Sequence, residues 1–201
     1  MVPADRLAME TRPVDVIVPV YGGGQRVRRC IESVLGAPVS TPFDVIVIDD
    51  ASPEPELVGY LEGLAAEGRI NLLRNATNLG FVRTVNRGMM QHPDRDVVLL
   101  NSDTEVANDW LDRLQRCVRC APDIGTATPF SNNATVCSYP DFCADNAVPA
   151  IGLAALDEIF SRTNAGETVE LPTAVGFWMY IRRACLNAVG LFDAIRVGRG
   201  Y

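Results

Sequence analysis

The chain has no lysine. All 18 of its basic residues are arginine. That excludes the lysine of a phosphate-binding loop, a Schiff-base lysine and a kinase-type lysine. Histidine is almost as scarce. His92 stands alone, followed by Pro93 between an apparent helix and a strand. A histidine-based triad or a histidine-rich metal site has too little material. Metal chemistry would have to use carboxylate oxygens, which suit Mg²⁺ or Mn²⁺.

Other absences narrow the field further. No apolar run approaches the roughly 18 residues of a membrane span. Met1 to Pro13 is polar and lacks the apolar core of a signal peptide. The expected location is cytoplasmic, at the inner face of a membrane only if other parts of a longer protein take it there. A net charge of −7 argues against nucleic acid, which selects basic patches. Cys117-x-x-Cys120 falls in a helical pattern with no second close pair to complete a zinc site. The six cysteines read as reduced, space-filling thiols. Gly22, Gly23 and Gly24 do not complete a dinucleotide fingerprint, because its third position holds Val27.

What the 201 residues do contain is an alternation of short apolar runs and amphipathic stretches, 48% hydrophobic overall. Strands are expected at 14–21, 43–50, 70–73, 97–100 and 124–128. Helices are expected at 25–35, 56–66, 81–90 and 110–120, with Val27, Cys30, Ile31, Val34 and Leu35 on one face of the first. Strand-helix alternation of this length implies a mostly parallel sheet covered by helices on both faces. The pattern then changes. Residues 130–149 are polar and irregular, which in a compact domain marks a functional or mobile loop. A helix is expected at 151–163, strands at 169–171 and 174–181, and a short helix at 182–189. No repeat or linker marks a second domain.

The stretch around which the rest is arranged is Val97 to Leu100, running into Asn101-Ser102-Asp103-Thr104-Glu105. Four apolar residues without alternation suit a strand buried on both faces. The oxygen-rich segment after it would stand at the carboxyl end of that strand, where open α/β sheets bind ligands. The alternative is a solvated turn that caps the next helix through Asn108 or Asp109. Two more strand ends are expected at the same edge: Pro19-Val20-Tyr21 and Asp49-Asp50. Neighbouring carboxylates repel, so each needs a use for its charge. A metal would use Asp103. A hydrogen-bond-donating base or ribose would use Asp50.

These segments, in order, make the sequence resemble the glycosyltransferases of family 2, which have the GT-A fold. The resemblance is carried by Val-Ile-Val-Pro-Val-Tyr (16–21), Val-Ile-Asp-Asp-Ala-Ser (47–52) and Asn-x-Gly-Phe (78–81) with Asn86-Arg87-Gly88. It continues in Leu-Leu-Asn-Ser-Asp-Thr (99–104), and in Gly176 to Arg183 leading to Val189-Gly190-Leu191-Phe192-Asp193. The insert from Ser131-Asn132-Asn133 to Tyr139-Pro140 is similar to bacterial, rhamnosyltransferase-like members that build surface polysaccharides.

The resemblance implies one GT-A domain over 1–201, a nucleoside-diphosphate sugar as donor, and a saccharide or lipid-linked saccharide as acceptor. It implies donor contacts at Pro19, Val20, Tyr21, Asp50, Asn78, Gly80 and Ser102. It implies a metal, Mg²⁺ or Mn²⁺, at Asp103 with Asn101 and Glu105, where Asn101 replaces the first Asp of an Asp-x-Asp motif. It implies an acceptor edge at Gly176, Phe177 and Trp178. Trp178 would stack on a sugar ring or fill the core. The family's catalytic base lies past a turn that here is Arg199-Gly200-Tyr201, so the base is expected beyond Tyr201 and Asp193 is not promoted to it. Two other readings stay open: a non-catalytic nucleotide-sugar-binding module, and a sugar nucleotidyltransferase.

Overall fold

The computed structural model describes residues 13–148, 150–171 and 173–198. The expectations for the polar N-terminal residues 1–12, for Pro149 closing the insert and for the Arg199-Gly200-Tyr201 turn lie outside the described residues.

The elements follow in the order β1 (Val14–Val20), α1 (Gly24–Gly36), β2 (Phe43–Asp49), α2 (Pro55–Ala66), β3 (Asn71–Arg74), α3 (Phe81–Met89) and β4 (Asp96–Leu100). Then come α4 (Trp110–Arg119), β5 (Thr126–Ala127), α5 (Leu153–Thr163), β6 (Trp178–Ile181) and α6 (Arg183–Val189). The strands form one sheet in the order β3-β2-β1-β4-β6-β5. β1, β2, β3 and β4 pair in parallel, and β6 runs antiparallel to both β4 and β5. This is the mostly parallel α/β architecture that the alternation implies.

The strand pleat divides the core in two, because successive side chains point to opposite faces. Val14, Val16, Val18, Val20, Val45, Val47, Val98 and Leu100 pack with the apolar faces of α1, α2 and α4. Ile17, Ile46, Ile48, Val97 and Leu99 pack with Val85 and Met89 of α3 and Leu186 of α6. Helices therefore cover both faces. Helix α3 lies close on the sheet at Gly88, where an added Cβ would stand 2.7 Å from Ile17 and 2.8 Å from Ile48.

The amino edge of the sheet is tied by ion pairs. Asp15, with no exposed surface, accepts from His92 Nδ1 at 2.9 Å and from Arg95 at 3.1 Å. Arg95 also reaches Asp44. Asp96 accepts from the Tyr180 hydroxyl at 2.8 Å and from the Arg183 backbone at 2.7 Å. Burial, then the Asp96 charge, pushes the Tyr180 phenol up from its ordinary value. His92, the single histidine, is thus a structural partner of Asp15.

Three expectations need correction. No strand forms at 169–171: Val169 is 76% exposed and has no neighbouring strand among the described residues. The strand expected at 174–181 is paired only from Trp178, because Trp178 already stands opposite Leu100, the last residue of β4. The one expected at 124–128 shrinks to Thr126–Ala127, limited by its short pairing with Tyr180 and Ile181. The irregular insert is internally tied: the Asn146 side chain donates to the carbonyls of Asn132, Asp141 and Ala144.

Candidate functional site at the carboxyl edge of the sheet

The parallel register puts the ends of β1, β2 and β4 at one edge. The turn before β6 joins them, since β6 runs the other way. Asp50 N donates to Val20 O at 2.8 Å and Asn101 N to Phe177 O at 2.8 Å. These main-chain bonds join the segments in two pairs, the β1 end with the β2 end and the β4 end with the turn before β6.

Asp50 is 4% exposed. One carboxylate oxygen accepts from Asn75 Nδ2 at 2.7 Å and Leu79 N at 2.8 Å, and the other from Gly80 N at 2.9 Å. It holds the Asn78–Gly80 loop against the sheet edge. A carboxylate has about four acceptor positions, so three donors leave about one. Asp49 is committed elsewhere, to Ser52 N at 2.9 Å and Arg74 at 3.3 Å. Ala51, the next residue, sits at φ 61°, a left-handed conformation that costs a non-glycine residue about 1–2 kcal/mol.

Asp103 has different surroundings. Thr104 N donates to Asn101 O at 3.0 Å, closing a turn with Ser102 and Asp103 at its tip. Asp103 is exposed, and no hydrogen bond or ion pair engages its carboxylate among the described residues. The solvated-turn alternative accounts for the turn itself. Asp109 precedes α4 but makes no side-chain cap. Helix α1 underpins this turn. Cys30 Sγ donates to Asn101 O at 3.5 Å, and Ser33 Oγ accepts from Val106 N at 3.1 Å. Burial pushes the Cys30 thiol up to about 12, with the Asp103 and Glu105 charges adding to the effect. Glu105 leans on Arg29 at 3.4 Å, an exposed ion pair that a stronger cation could replace.

Among the described residues, no three of His, Cys, Asp and Glu stand together as a metal cage. Mg²⁺ and similar hard cations are commonly held by one or two carboxylates plus substrate phosphates. An exposed, uncommitted Asp103 beside Asn101 fits that mode.

The remaining expected residues divide. Tyr21 is 58% exposed at the end of β1. Val20 has its side chain buried in the core, and its carbonyl accepts from Asp50 N at the edge. Pro19 is half-buried on the strand, Gly80 caps α3 at φ 81°, and Asn78 shares its loop. Gly176 and Phe177 stand at the edge beside Asn101. Trp178 is 9% exposed and meets Trp110 edge-on at 5.3 Å. A cleft of about 280 Å³ opens between Asn78-Leu79 and Ala194, with Arg83 on its wall. Behind it, Asn86 clamps Phe192 in both directions, at 2.8 and 3.1 Å.

Sequence reasoning missed Glu54. Its carboxylate accepts from Gly23 N at 2.9 Å and Gly24 N at 3.0 Å. It fills the end of α1 that in a dinucleotide fold receives a phosphate. Asn75 was missed as well. The only signal for either was an acidic or amide residue a few positions past a strand end.

A mostly parallel sheet with a candidate site at its strand ends defines an open α/β domain. The chain belongs to glycosyl transferase family 2, whose model matches residues 15–126. Among curated relatives, an N-acetylglucosaminyltransferase of Bradyrhizobium elkanii is 30% identical over 117 residues, 57% of this chain and 63% of the relative. Among solved structures, S. aureus TarS superposes with a TM-score of 0.64 at 18% identity, over 92% of this chain and 51% of that one. The mannosyltransferase PcManGT of Pyrobaculum calidifontis, solved with GDP-Man and Mn²⁺, gives 0.63 at 16%, over 90% and 48%. The chain spans 16 to 63% of the length of the curated relatives it matches. No helix among the described residues is long and apolar enough to cross a membrane.

Proposed function

We propose that this chain binds the donor of a metal-dependent, inverting sugar transfer from a nucleoside-diphosphate sugar to a saccharide or lipid-linked saccharide. One observation carries the reading. At a single sheet edge, Asp103 is exposed and uncommitted, while Asp50 is buried and holds a loop. The solved relatives support a nucleotide sugar as donor: PcManGT was solved with GDP-Man and Mn²⁺, and TarS with UDP-GlcNAc.

In this reading Tyr21 offers its ring to the base. Asp50 keeps the Asn78–Gly80 loop closed and accepts one more hydrogen bond, from a base N–H. Asp103 and Asn101 hold the cation, with Glu105 joining by leaving Arg29. The cation, when bound, neutralises the leaving diphosphate as a Lewis acid. Gly176 and Phe177 border the acceptor. Asp193 is a loop cap, accepting from Ile195 N and Arg196 N at 3.0 Å, and is given no role as base.

Calorimetric titration of UDP and GDP, with Mn²⁺ and with EDTA, tests the reading. Affinity is expected to fall in EDTA. Asp103→Asn should abolish that metal dependence, lowering affinity in Mn²⁺ about ten- to hundredfold. It should leave stability within about 0.5 kcal/mol, as for an exposed site. Equal affinity with and without metal would refute metal dependence.

A further inference from the structure

The loop after β1 is expensive to order. Gly22 and Gly23 both hold left-handed backbone, at φ 69° and 92°. Glycine loses more freedom on folding than any other residue. Helix α1 begins behind Gly23 with no side-chain cap of its own and no acidic residue in its first turn. Something outside this loop has to hold it.

The segment after β2 does so with three consecutive bonds. Ser52 Oγ accepts from Gly22 N at 3.1 Å, Glu54 Oε1 from Gly23 N at 2.9 Å, and Glu54 Oε2 from Gly24 N at 3.0 Å. The fit is close. A Cβ on Gly22 or Gly24 would come within 2.9 or 3.0 Å of the Glu54 oxygens. A carboxylate on backbone N–H groups at a helix N-terminus is also charge-assisted and favoured by the helix dipole. Ser52 is itself anchored, through its N–H, to Asp49. The two clasped loops are those that carry Tyr21 and Asp50.

We propose that Glu54, with Ser52, is a positioning residue of the donor site. It fixes the Tyr21–Gly24 loop so that the exposed Tyr21 ring stands as a preformed wall for the donor's nucleoside. This rests on the donor reading above. Glu54 does not touch the ligand, since both of its oxygens point at Gly23 and Gly24. Its contribution is preorganisation, which raises affinity by removing an ordering cost from binding.

The test is calorimetric titration of UDP and GDP, each with Mn²⁺, into the wild type, Glu54→Ala and Ser52→Ala, with thermal melts alongside. Glu54→Ala is expected to weaken binding about tenfold or more at temperatures where the protein is folded. Added formate, a small carboxylate for the emptied cradle, should restore part of the affinity in Glu54→Ala and leave the wild type unchanged. Ser52→Ala should weaken binding by a smaller factor. Equal or tighter binding by folded Glu54→Ala overturns the proposal and leaves the donor reading standing. If Glu54→Ala does not fold, Ser52→Ala decides, and unchanged affinity there overturns the proposal. A wild type that binds neither nucleotide overturns the donor reading, and the proposal with it.

Discussion

At the amino edge of the sheet, Asp15, Asp44 and Asp96 each meet a partner from the same chain. At the carboxyl edge Asp103 meets none among the described residues, although Asp49 and Asp50 at the same edge accept hydrogen bonds from their own chain. What separates Asp15, Asp49 and Asp50 from Asp103 is burial, whereas Asp44 is half-exposed and still pairs with Arg95. A charge removed from water must be paired and hydrogen-bonded, and Asp15, Asp49 and Asp50 are all nearly inaccessible. A charge at the wet rim carries no such demand. Asp103 can stay uncommitted at little cost, and a cation arriving there displaces only water. Paired carboxylates hold the fold, and the exposed one remains open to chemistry.

That contrast can be broken most sharply at Asp15. Asp15→Ala removes the partner of His92 and Arg95 inside the sheet. Breaking a buried pair costs about 3–5 kcal/mol, so urea unfolding should show a loss of that size. Nucleotide affinity of the molecules that stay folded should not change. A loss below about 1 kcal/mol would mean that Asp15 behaves as a surface charge, and the distinction between the two edges would fail.

A smaller effect is expected at Asp112 of α4, which clasps the start of β2. Its oxygens accept from Ser40 N at 2.8 Å, Thr41 N at 2.7 Å and the Thr41 hydroxyl at 2.6 Å. Burial alone would raise its carboxyl pKa. The hydrogen bonds from Thr41 and Ser40 outweigh that and hold it below the usual value. A depressed carboxylate stabilises the fold above its unfolded pKa, about 3.9, and that contribution is lost as pH falls through the folded value. Asp112→Asn should cost about 1.5–3 kcal/mol at neutral pH, towards the low end because the group is half-exposed. The gap from wild type should close below about pH 4. Unfolding curves from pH 7 down to pH 3 measure it, and a gap that widens on acidification would contradict the clasp.

The smallest effect lies at Ala51, where strain sits directly after two buried carboxylates. Ala51→Gly relieves the left-handed conformation but enlarges the freedom of the unfolded chain. The net gain should be about 0.5–1 kcal/mol, read as a modest rise in melting temperature. A loss of stability would show that Ala51 bears no strain.

Much of this was legible because period and punctuation are local. The runs expected as strands at 14–21, 43–50 and 97–100 do form strands, largely buried. The polar residues that stop them had to collect at one edge once the strands were parallel. Legibility failed where pairing decides. Val169 to Leu171 is apolar enough for a strand and finds no neighbour, so it stays exposed. Val20 reads as part of an edge motif, but the pleat sends its side chain into the core.

The sequence alone determined the fold class and the exclusion of lysine and histidine chemistry, because these depend on composition and on spacing along the chain, and its motifs carried the resemblance to the family. Only the tertiary structure decided which carboxylates are committed. Asp50 meets Asn75, Leu79 and Gly80, and Glu54 meets Gly23 and Gly24, across 25 to 31 positions of chain. Whether an acidic side chain is a brace or an open ligand depends on which donors the packing brings within about 3 Å, and no local pattern encodes that.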